Sequence, residues 1–165
     1  MIIPDEYVVK HSGQPVKGYL RCLYCGAKCL LCCGSLVYHG SKRFGCIWVC
    51  PTPGCDAYVG CHKRTHTPLG NPANYELREL RRKCHYEFDP LWEENAKTLQ
   101  LCNKGGQPAS DRRKLMAARN QMYKRLADYM NLPIEMCHIA MFHDEQCYKV
   151  LEFVKQYKTN SHDES

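Results

Sequence analysis

The sequence of 165 residues contains no apolar run that approaches the ~18 residues a helix needs to cross a bilayer. Its start, MIIPDEYVVKHSGQ, has no basic segment followed by an apolar stretch, so we expect no secretory leader. Internal repeats and low-complexity tracts are also absent, which excludes a repeat architecture. These absences predict a cytoplasmic protein without membrane contact.

Cysteine, in contrast, is abundant. The chain has 13 cysteines, an odd number, so at least one thiol stays outside any intramolecular pairing. In a reducing compartment, dense cysteine indicates metal ligands more often than disulfides. The formal charge of +6, from 23 Lys and Arg against 17 Asp and Glu, modestly favours polyanionic partners.

The chain changes character near residue 70. Cysteine, glycine, tyrosine and valine dominate before this point, whereas leucine, arginine, lysine, glutamate and methionine recur at helical spacing after it. The turn-rich stretch Thr67–Asn74 joins the two parts. We therefore predict an α+β protein. Its zinc-ribbon module covers residues 1–70 and packs on a bundle of about four or five helices over 71–158, followed by a disordered tail over 159–165.

Two short turns carry cysteine pairs at the spacing of zinc ligands. Cys22 and Cys25 are separated by two residues and followed by Gly26, which tolerates the positive φ that such a turn often requires. Cys50 and Cys55 are separated by four residues, within the range found in zinc turns. Two such turns can supply the four soft ligands of a tetrahedral, structural Zn²⁺ site.

The segment between these cysteine turns is long enough for two strands joined by a tight turn at His39–Lys42, and Ala57–Gly60 reads as a further short strand. Pairing of the strands brings the two cysteine turns together at one end of a hairpin, which is the geometry of a zinc ribbon. A competing C-x-x-C leaves an additional metal site open, but we interpret the surplus cysteines as small buried apolar residues. These residues are Cys29, Cys32, Cys33 and Cys46.

The sequence contains, in this order, the runs CLYCG, YHGSKRFGCIWVCPTPGCDAYVGCH, PLG, CHYEFDPLW and CHIAMF. On these runs the chain resembles a phage and prophage family of zinc-finger-containing domains over nearly its whole length. The resemblance implies metal ligands at Cys22, Cys25, Cys50 and Cys55, and a viral or prophage origin with action in the host cytoplasm. It implies no particular activity. The segment GSKRFGCIWVCPTPGCDAYVG is more loosely similar to the C-terminal zinc ribbons of bacterial type I topoisomerases, which bind single-stranded DNA.

Strand alternation places Phe44, Cys46 and Trp48 on one face of their strand, and Ile47 and Val49 on the other. The rings of Phe44 and Trp48 lie close in sequence to two cations, which is the combination that a base-stacking surface needs. A contact between the ribbon and the helices would also account for the two rings. A basic cluster in the helical part would bind backbone phosphate. We therefore predict a nucleic-acid-binding accessory protein. The predicted contacts are Lys42, Arg43, Phe44, Trp48, Arg78, Arg81 and Arg82.

Capping signals divide the helical part. Asn74 is the expected N-cap of the first helix, and Asp89 followed by Pro90 is a strong start signal for the second. The third helix begins after Ser110. The predicted helices thus include Tyr75–Phe88, one starting at Asp89, one after Ser110, a short one at Pro133–Met141 and a last one at Asp144–Tyr157.

Two other functions remain open. His62, His66, His85 and Asp89 flank the junction between the two parts and form a possible second site, for a metal ion or for acid–base chemistry. Metal-assisted hydrolysis of a phosphodiester is therefore one alternative, although the sequence lacks HExxH, a phosphate-binding glycine loop and G-x-S-x-G. The other alternative is a phage effector that binds a host protein.

Overall fold

The computed structural model describes residues 3–11, 14–15, 17–38, 45–102, 106 and 108–163. The chain divides into two compact units, Met1–Glu79 and Leu80–Ser165. The first unit contains the β-strands and the second contains most of the helical residues. The α+β class that the sequence predicts is confirmed. None of the helices in the described part of the chain combines the length and apolar character that spanning a membrane requires.

The first unit is built on a four-stranded antiparallel sheet whose strands follow one another in sequence order. Its strands are β3 (Lys17–Arg21), β4 (Lys28–Cys33), β5 (Cys46–Val49) and β6 (Tyr58–Gly60). Two short strands, β1 (Lys10–His11) and β2 (Gln14–Pro15), form a separate pair. The predicted hairpin and third strand correspond to β4, β5 and β6, whereas β3 was not predicted. The predicted turn at His39–Lys42 lies outside the described residues.

Both faces of this sheet are covered. Trp48 lies on one face with Cys29 and Leu31, all three at most 4 % exposed. Ile47 and Cys32 lie on the other face in a second buried cluster. The strand alternation expected from the sequence is therefore present, and it produces two small cores rather than one apolar face and one solvent face.

The register of the sheet fixes what lies at each of its ends. The first cysteine turn precedes β4 and the second follows β5, so both turns lie at one end of the antiparallel pair. Cys33 pairs with Cys46 at the opposite end. The amide of Cys61 donates to the carbonyl of Cys46 at 3.2 Å, so a third cysteine extends this row beyond β6.

The first helix, α1, runs without interruption over Tyr75–Thr98. Asn74 caps it as predicted, because its Oδ1 accepts the amide of Leu77 at 3.0 Å. The predicted break at Asp89–Pro90 is wrong, since Pro90 lies inside the helix. An interior proline costs about 3 kcal/mol. Apolar burial on both sides of Pro90, at Phe88 and Ala96, offsets this cost and holds the helix together.

The described residues after α1 form two further α-helices, rather than the larger number that the sequence suggested. The helix α2 covers Asp111–Met130, and α3 covers Asp144–Asp163. Two 3₁₀ turns, Ile134–Met136 and Ile139–Met141, take the place of the predicted short helix. Five residues of the tail expected to be disordered continue α3, which ends at Asp163 instead of Tyr157.

The core of the second unit contains an aromatic cluster. Phe88 is completely buried, and its ring centroid lies 5.0 Å from that of Tyr123 and 6.2 Å from that of Phe153. These three rings come from α1, α2 and α3 respectively. The edge-to-face and tilted arrangements are those that aromatic pairs prefer, so the cluster fixes how the three helices pack.

The continuous form of α1 predicts the effect of replacing Pro90. Alanine restores the missing N–H and removes the clash of the ring, so Pro90→Ala should raise the free energy of unfolding by about 1–3 kcal/mol. Urea denaturation followed by circular dichroism measures this change. Pro133→Ala, at the start of a 3₁₀ turn, is the matched control and should give no gain. A neutral or destabilising Pro90→Ala would instead indicate that a helix starts at Asp89.

Candidate metal centre

Four thiols from the two cysteine turns converge at one end of the sheet. The sulfur atoms of Cys22, Cys25, Cys50 and Cys55 all lie within 4.8 Å of one another. The Cys22 and Cys55 sulfurs are 3.6 Å apart, and those of Cys25 and Cys50 are 3.4 Å apart. Each close pair joins one sulfur from each turn, so the two turns interlock around a common centre.

Backbone hydrogen bonds fold the first turn tightly. The amide of Cys22 donates to the carbonyl of Ala27 at 2.8 Å, and the amide of Gly26 donates to the carbonyl of Cys22 at 3.0 Å. Gly26 has a φ of +71°, a conformation that favours glycine. The side chain of Arg21 donates to the carbonyl of Gly26 at 3.0 Å and closes the turn from outside. The sequence signal C-x-x-C-G therefore corresponds to a real backbone requirement.

The second turn is similar. The amide of Cys50 donates to the carbonyl of Ala57 at 2.9 Å, and the amide of Cys55 donates to the carbonyl of Thr52 at 3.1 Å. Gly54 has a φ of +81° and provides the left-handed position. These bonds hold the backbone of the turn in the conformation that directs both sulfurs toward the common centre.

The two cysteine turns also organise the start of α1. The hydroxyl of Tyr24, in the first turn, donates to Oδ1 of Asn74 at 2.9 Å and accepts the amide of Asn74 at 3.1 Å. The carboxylate of Asp56, next to the second turn, accepts the amide of Tyr75 at 2.8 Å. The beginning of the helix is thus tied to both cysteine turns.

The donor set fits a Zn²⁺ ion. With Zn–S bonds of ~2.3 Å, a tetrahedron of thiolates has sulfur–sulfur edges of about 3.8 Å, which is close to the spacing of these thiols. Burial raises the pKa values of Cys22, Cys50 and Cys55 in the absence of a cation. A hydrogen bond from the Thr52 hydroxyl lowers the pKa of Cys25 to about 6. Four cysteines complete the coordination of zinc, so such a site is closed and structural.

Other cysteines of this unit are placed differently. Cys29 and Cys32 are completely buried on opposite faces of the sheet, as the sequence suggested. Burial raises the pKa of Cys29 to about 12 and that of Cys32 to about 11. Cys33 and Cys46 are only half-buried. Within the described residues, the four cysteines of the two turns are the one group of three or more metal-ligating side chains close enough to share an ion.

The residues of the possible second site fall in two different units, so that site stays a prediction. His62 and His66 lie in an exposed turn of the first unit, whereas His85 and Asp89 pair on α1 in the second, with Nδ1 and Oδ2 3.2 Å apart. None of these residues belongs to a potential metal group among the residues described. Burial opposes ionisation of Asp89, but hydrogen bonds from His85 and Trp92 outweigh it and lower the pKa of the carboxyl. Asp89 therefore stabilises α1 from within rather than capping a new helix.

Trp48 is not available for base stacking. Its side chain is only 4 % exposed and packs in the sheet core. Its indole Nε1 donates to the carbonyl of His66 at 2.8 Å. The ring thus anchors the turn after β6 instead of presenting a face to a base. The neighbouring predicted contacts Lys42, Arg43 and Phe44 lie outside the described residues.

Two of the predicted phosphate ligands are also engaged within the protein. Arg78 donates to the carbonyl and carboxylate of Asp56 at 3.0 and 3.1 Å, and its guanidinium lies 4.0 Å from the ring centroid of Tyr58. Arg81 is 8 % exposed and donates to the carbonyl of Phe142 through Nε and a terminal nitrogen, at 2.9 and 2.7 Å. Only Arg82, among these three predicted arginines of α1, is exposed. Charge in the sequence did not distinguish packed arginines from solvent-facing ones.

Two exposed cations of the first unit that sequence reasoning did not single out lie next to each other in the segment His62–Thr67, which we call the basic turn. It contains Lys63 and Arg64 between two histidines, and all its residues are exposed. The amide of His62 donates to the carbonyl of Thr67 at 2.8 Å and closes it. Arg64 has a φ of +62°, which is uncommon for a residue other than glycine. A signal was present in the sequence: no acidic residue occurs between Asp56 and Glu76.

A comparison with models of protein families places the four thiols within a known type of domain. A family model described as a zinc-finger-containing domain matches residues 18–105 and 107–157, which is most of the chain. The match includes all four cysteines of the two turns. No curated protein and no solved structure matches, so the likeness to topoisomerase ribbons stays an expectation.

The geometry predicts the metal content of variants. Cys50→Ser removes a completely buried ligand and should abolish zinc binding, with loss of the sheet structure, because the binding energy of a structural zinc is largely folding energy. Native mass spectrometry and elemental analysis measure the metal content. Cys33→Ala, a half-buried cysteine at the other end of the sheet, is the control and should retain one zinc per chain. A zinc-free Cys33→Ala or a fully loaded Cys50→Ser would contradict this assignment.

Arg81 provides a test of its structural role. Arg81→Met keeps most of the side-chain length but leaves the carbonyl of Phe142 without these donors, so unfolding should become easier by about 1–3 kcal/mol. Lys83→Met, on the same helix, changes an exposed residue and should stay within about 0.5 kcal/mol. Equal losses in urea denaturation of the two variants would show that Arg81 has no special role.

Proposed function

The chain belongs to the family of zinc-finger-containing domains, and we propose that it is a zinc-ribbon protein that binds nucleic acid through the basic turn. The observation that carries the proposal is the convergence of four thiols at one end of a sheet whose opposite end carries exposed cations. In this account, zinc is a structural cofactor and nucleic acid is the partner.

The role of zinc follows from its distance to the basic turn. The sheet separates the four thiols from the basic turn. Its strand β6 starts beside the second cysteine turn and ends just before Cys61 and the basic turn. Three residues of a strand span about 10 Å. An ion held by four thiolates has no open position for a substrate. The metal therefore fixes the strands that present the turn and takes no part in contacts with a partner.

The basic turn has the properties of a preformed anion site. The hydroxyl of Thr65 donates to the carbonyl of His62 at 3.0 Å and accepts the amide of Thr67 at 3.1 Å. Together with the bond from Trp48 to His66, these contacts leave the backbone little freedom. The backbone positions of Lys63 and Arg64 are then fixed, and these two residues have no acidic neighbour in sequence. Such pre-organisation lowers the entropic cost of binding a phosphate chain.

Nucleic acid is the polyanion that this surface fits best. Phosphates along a strand are regularly spaced and are bound by lysine and arginine with release of counterions. The net charge of +6 adds attraction at long range. The expectation of a phage or prophage source, and of action in the host cytoplasm, stays a prediction that this proposal does not require. No contact in the described residues selects a host protein or a phosphodiester hydrolase as the better alternative.

Charge-removing variants test the proposal. Lys63→Gln with Arg64→Asn removes both cations, and asparagine tolerates the positive φ at position 64 better than alanine does. With single-stranded DNA or RNA, the affinity should fall and the plot of log K against log salt should become less steep by about 1.4, at about 0.7 per lost phosphate contact. Fluorescence anisotropy over a salt series measures both quantities.

The matched control changes the same charge elsewhere. Lys149→Gln with Lys155→Gln replaces two exposed lysines on α3 and should leave the slope unchanged. If the wild-type protein retains no nucleic acid even at low ionic strength, the proposed function is wrong. If the control and the test variant lose affinity equally, the basic turn is not the contact.

A further inference from the structure

A cavity of about 670 Å³ adjoins the basic turn at the end of the sheet away from the four thiols. Cys46, Gly60 and Cys61 form part of its lining where β5 begins and β6 ends. Residues 62–66 of the basic turn form another part of the lining. The volume lies within the ~300–1,000 Å³ of sites for small molecules and cofactors.

The cavity combines an apolar lining with a cationic rim. Leu69 lines the cavity and is 50 % exposed. At this exposure the apolar side chain gains little free energy from its own burial. Lys63 and Arg64 line the same space from the basic turn. Burial raises the pKa of the Cys61 thiol to about 11, so this group stays neutral in the wall. A ligand that is apolar and flat on one side and anionic on the other fits such a space.

Tyr38 is an aromatic residue that lines the cavity. The ring packs edge-on to Tyr58, with centroids 6.3 Å apart, and Tyr58 in turn lies under the guanidinium of Arg78. Tyr38 is half-buried, and these contacts fix its position. An aromatic ring held in place beside cations is the arrangement that stacks on nucleobases regardless of sequence.

We propose that this cavity takes one unpaired nucleobase of a single strand, which stacks on Tyr38 while Lys63 and Arg64 bind the flanking phosphates. This inference rests on the proposed function and adds a preference for single-stranded nucleic acid. A base inside a duplex is stacked on its neighbours and has no free face to offer, so the cavity selects single strands over duplexes. DNA and RNA share the base and the phosphate, so the chemistry of the site admits both.

The test compares labelled ten-nucleotide strands by fluorescence anisotropy with the full-length, zinc-loaded protein. The strands are oligothymidylate, oligouridylate, a strand of abasic residues with the same phosphates, and a duplex of the same length. Stacking of one base should make the thymidylate or uridylate strand bind about 5- to 150-fold more tightly than the abasic strand. Tighter binding of the thymidylate strand would identify DNA as the preferred ligand, and tighter binding of the uridylate strand would identify RNA.

Variants of Tyr38 localise the effect. Tyr38→Leu should bring the ratio of base-containing to abasic affinity close to one, whereas Tyr38→Phe should keep it, because phenylalanine also stacks. This affinity ratio is measured within each variant. Partial unfolding would lower both affinities together, so the ratio itself would still report stacking. Zinc content and circular dichroism report the folded fraction.

The outcomes separate the two proposals. A base-dependent ratio that collapses only in Tyr38→Leu supports the inference. Equal binding of abasic and base-containing strands, or equally tight binding of the duplex, overturns it while leaving the proposed function intact. Absence of binding to any strand at low ionic strength overturns both.

Discussion

The convergence of four thiols from two turns is the constraint on which the first unit depends. The sheet has only short strands, and its two buried clusters are small. A sheet of this size buries too little apolar surface to be stable without an additional crosslink. A metal ion held by both cysteine turns would supply that crosslink, and the four thiols fit zinc. The same turns hold Asn74 and Tyr75, so the register of the sheet and the start of α1 follow from one centre.

Several residues that look like ligands in the sequence are part of the fold. Trp48 and Arg78 have the chemistry of nucleic-acid contacts, yet the first holds the carbonyl of His66 and the second holds Asp56 and Tyr58. In the proposed function, their contribution to nucleic-acid binding is indirect. A buried indole that anchors the basic turn places Lys63 and Arg64 more firmly than a flexible loop would, and rigid placement is what lets a few cations act together.

The parts that were predictable from sequence are those governed by local backbone rules. The spacing of Cys22 and Cys25, with Gly26 after them, identified a turn whose φ of +71° requires glycine, and Asn74 was recognisable as a cap. The Asp89–Pro90 signal failed because tertiary burial of Phe88 and Ala96 outweighed a local preference. Arg81 was predicted to be a phosphate contact, and this prediction is wrong for a related reason. Whether an arginine packs or faces solvent depends on elements distant in sequence, here the carbonyl of Phe142.

The account is tested most directly by zinc K-edge X-ray absorption on the purified protein. We expect one zinc per chain with a first shell of four sulfurs at about 2.3 Å and no nitrogen or oxygen scatterer. A shell that contains nitrogen, or fewer than four sulfurs, would mean that a histidine or water completes the site. The structural role that we assign to the metal, and the fixed position of the basic turn that follows from it, would then be contradicted.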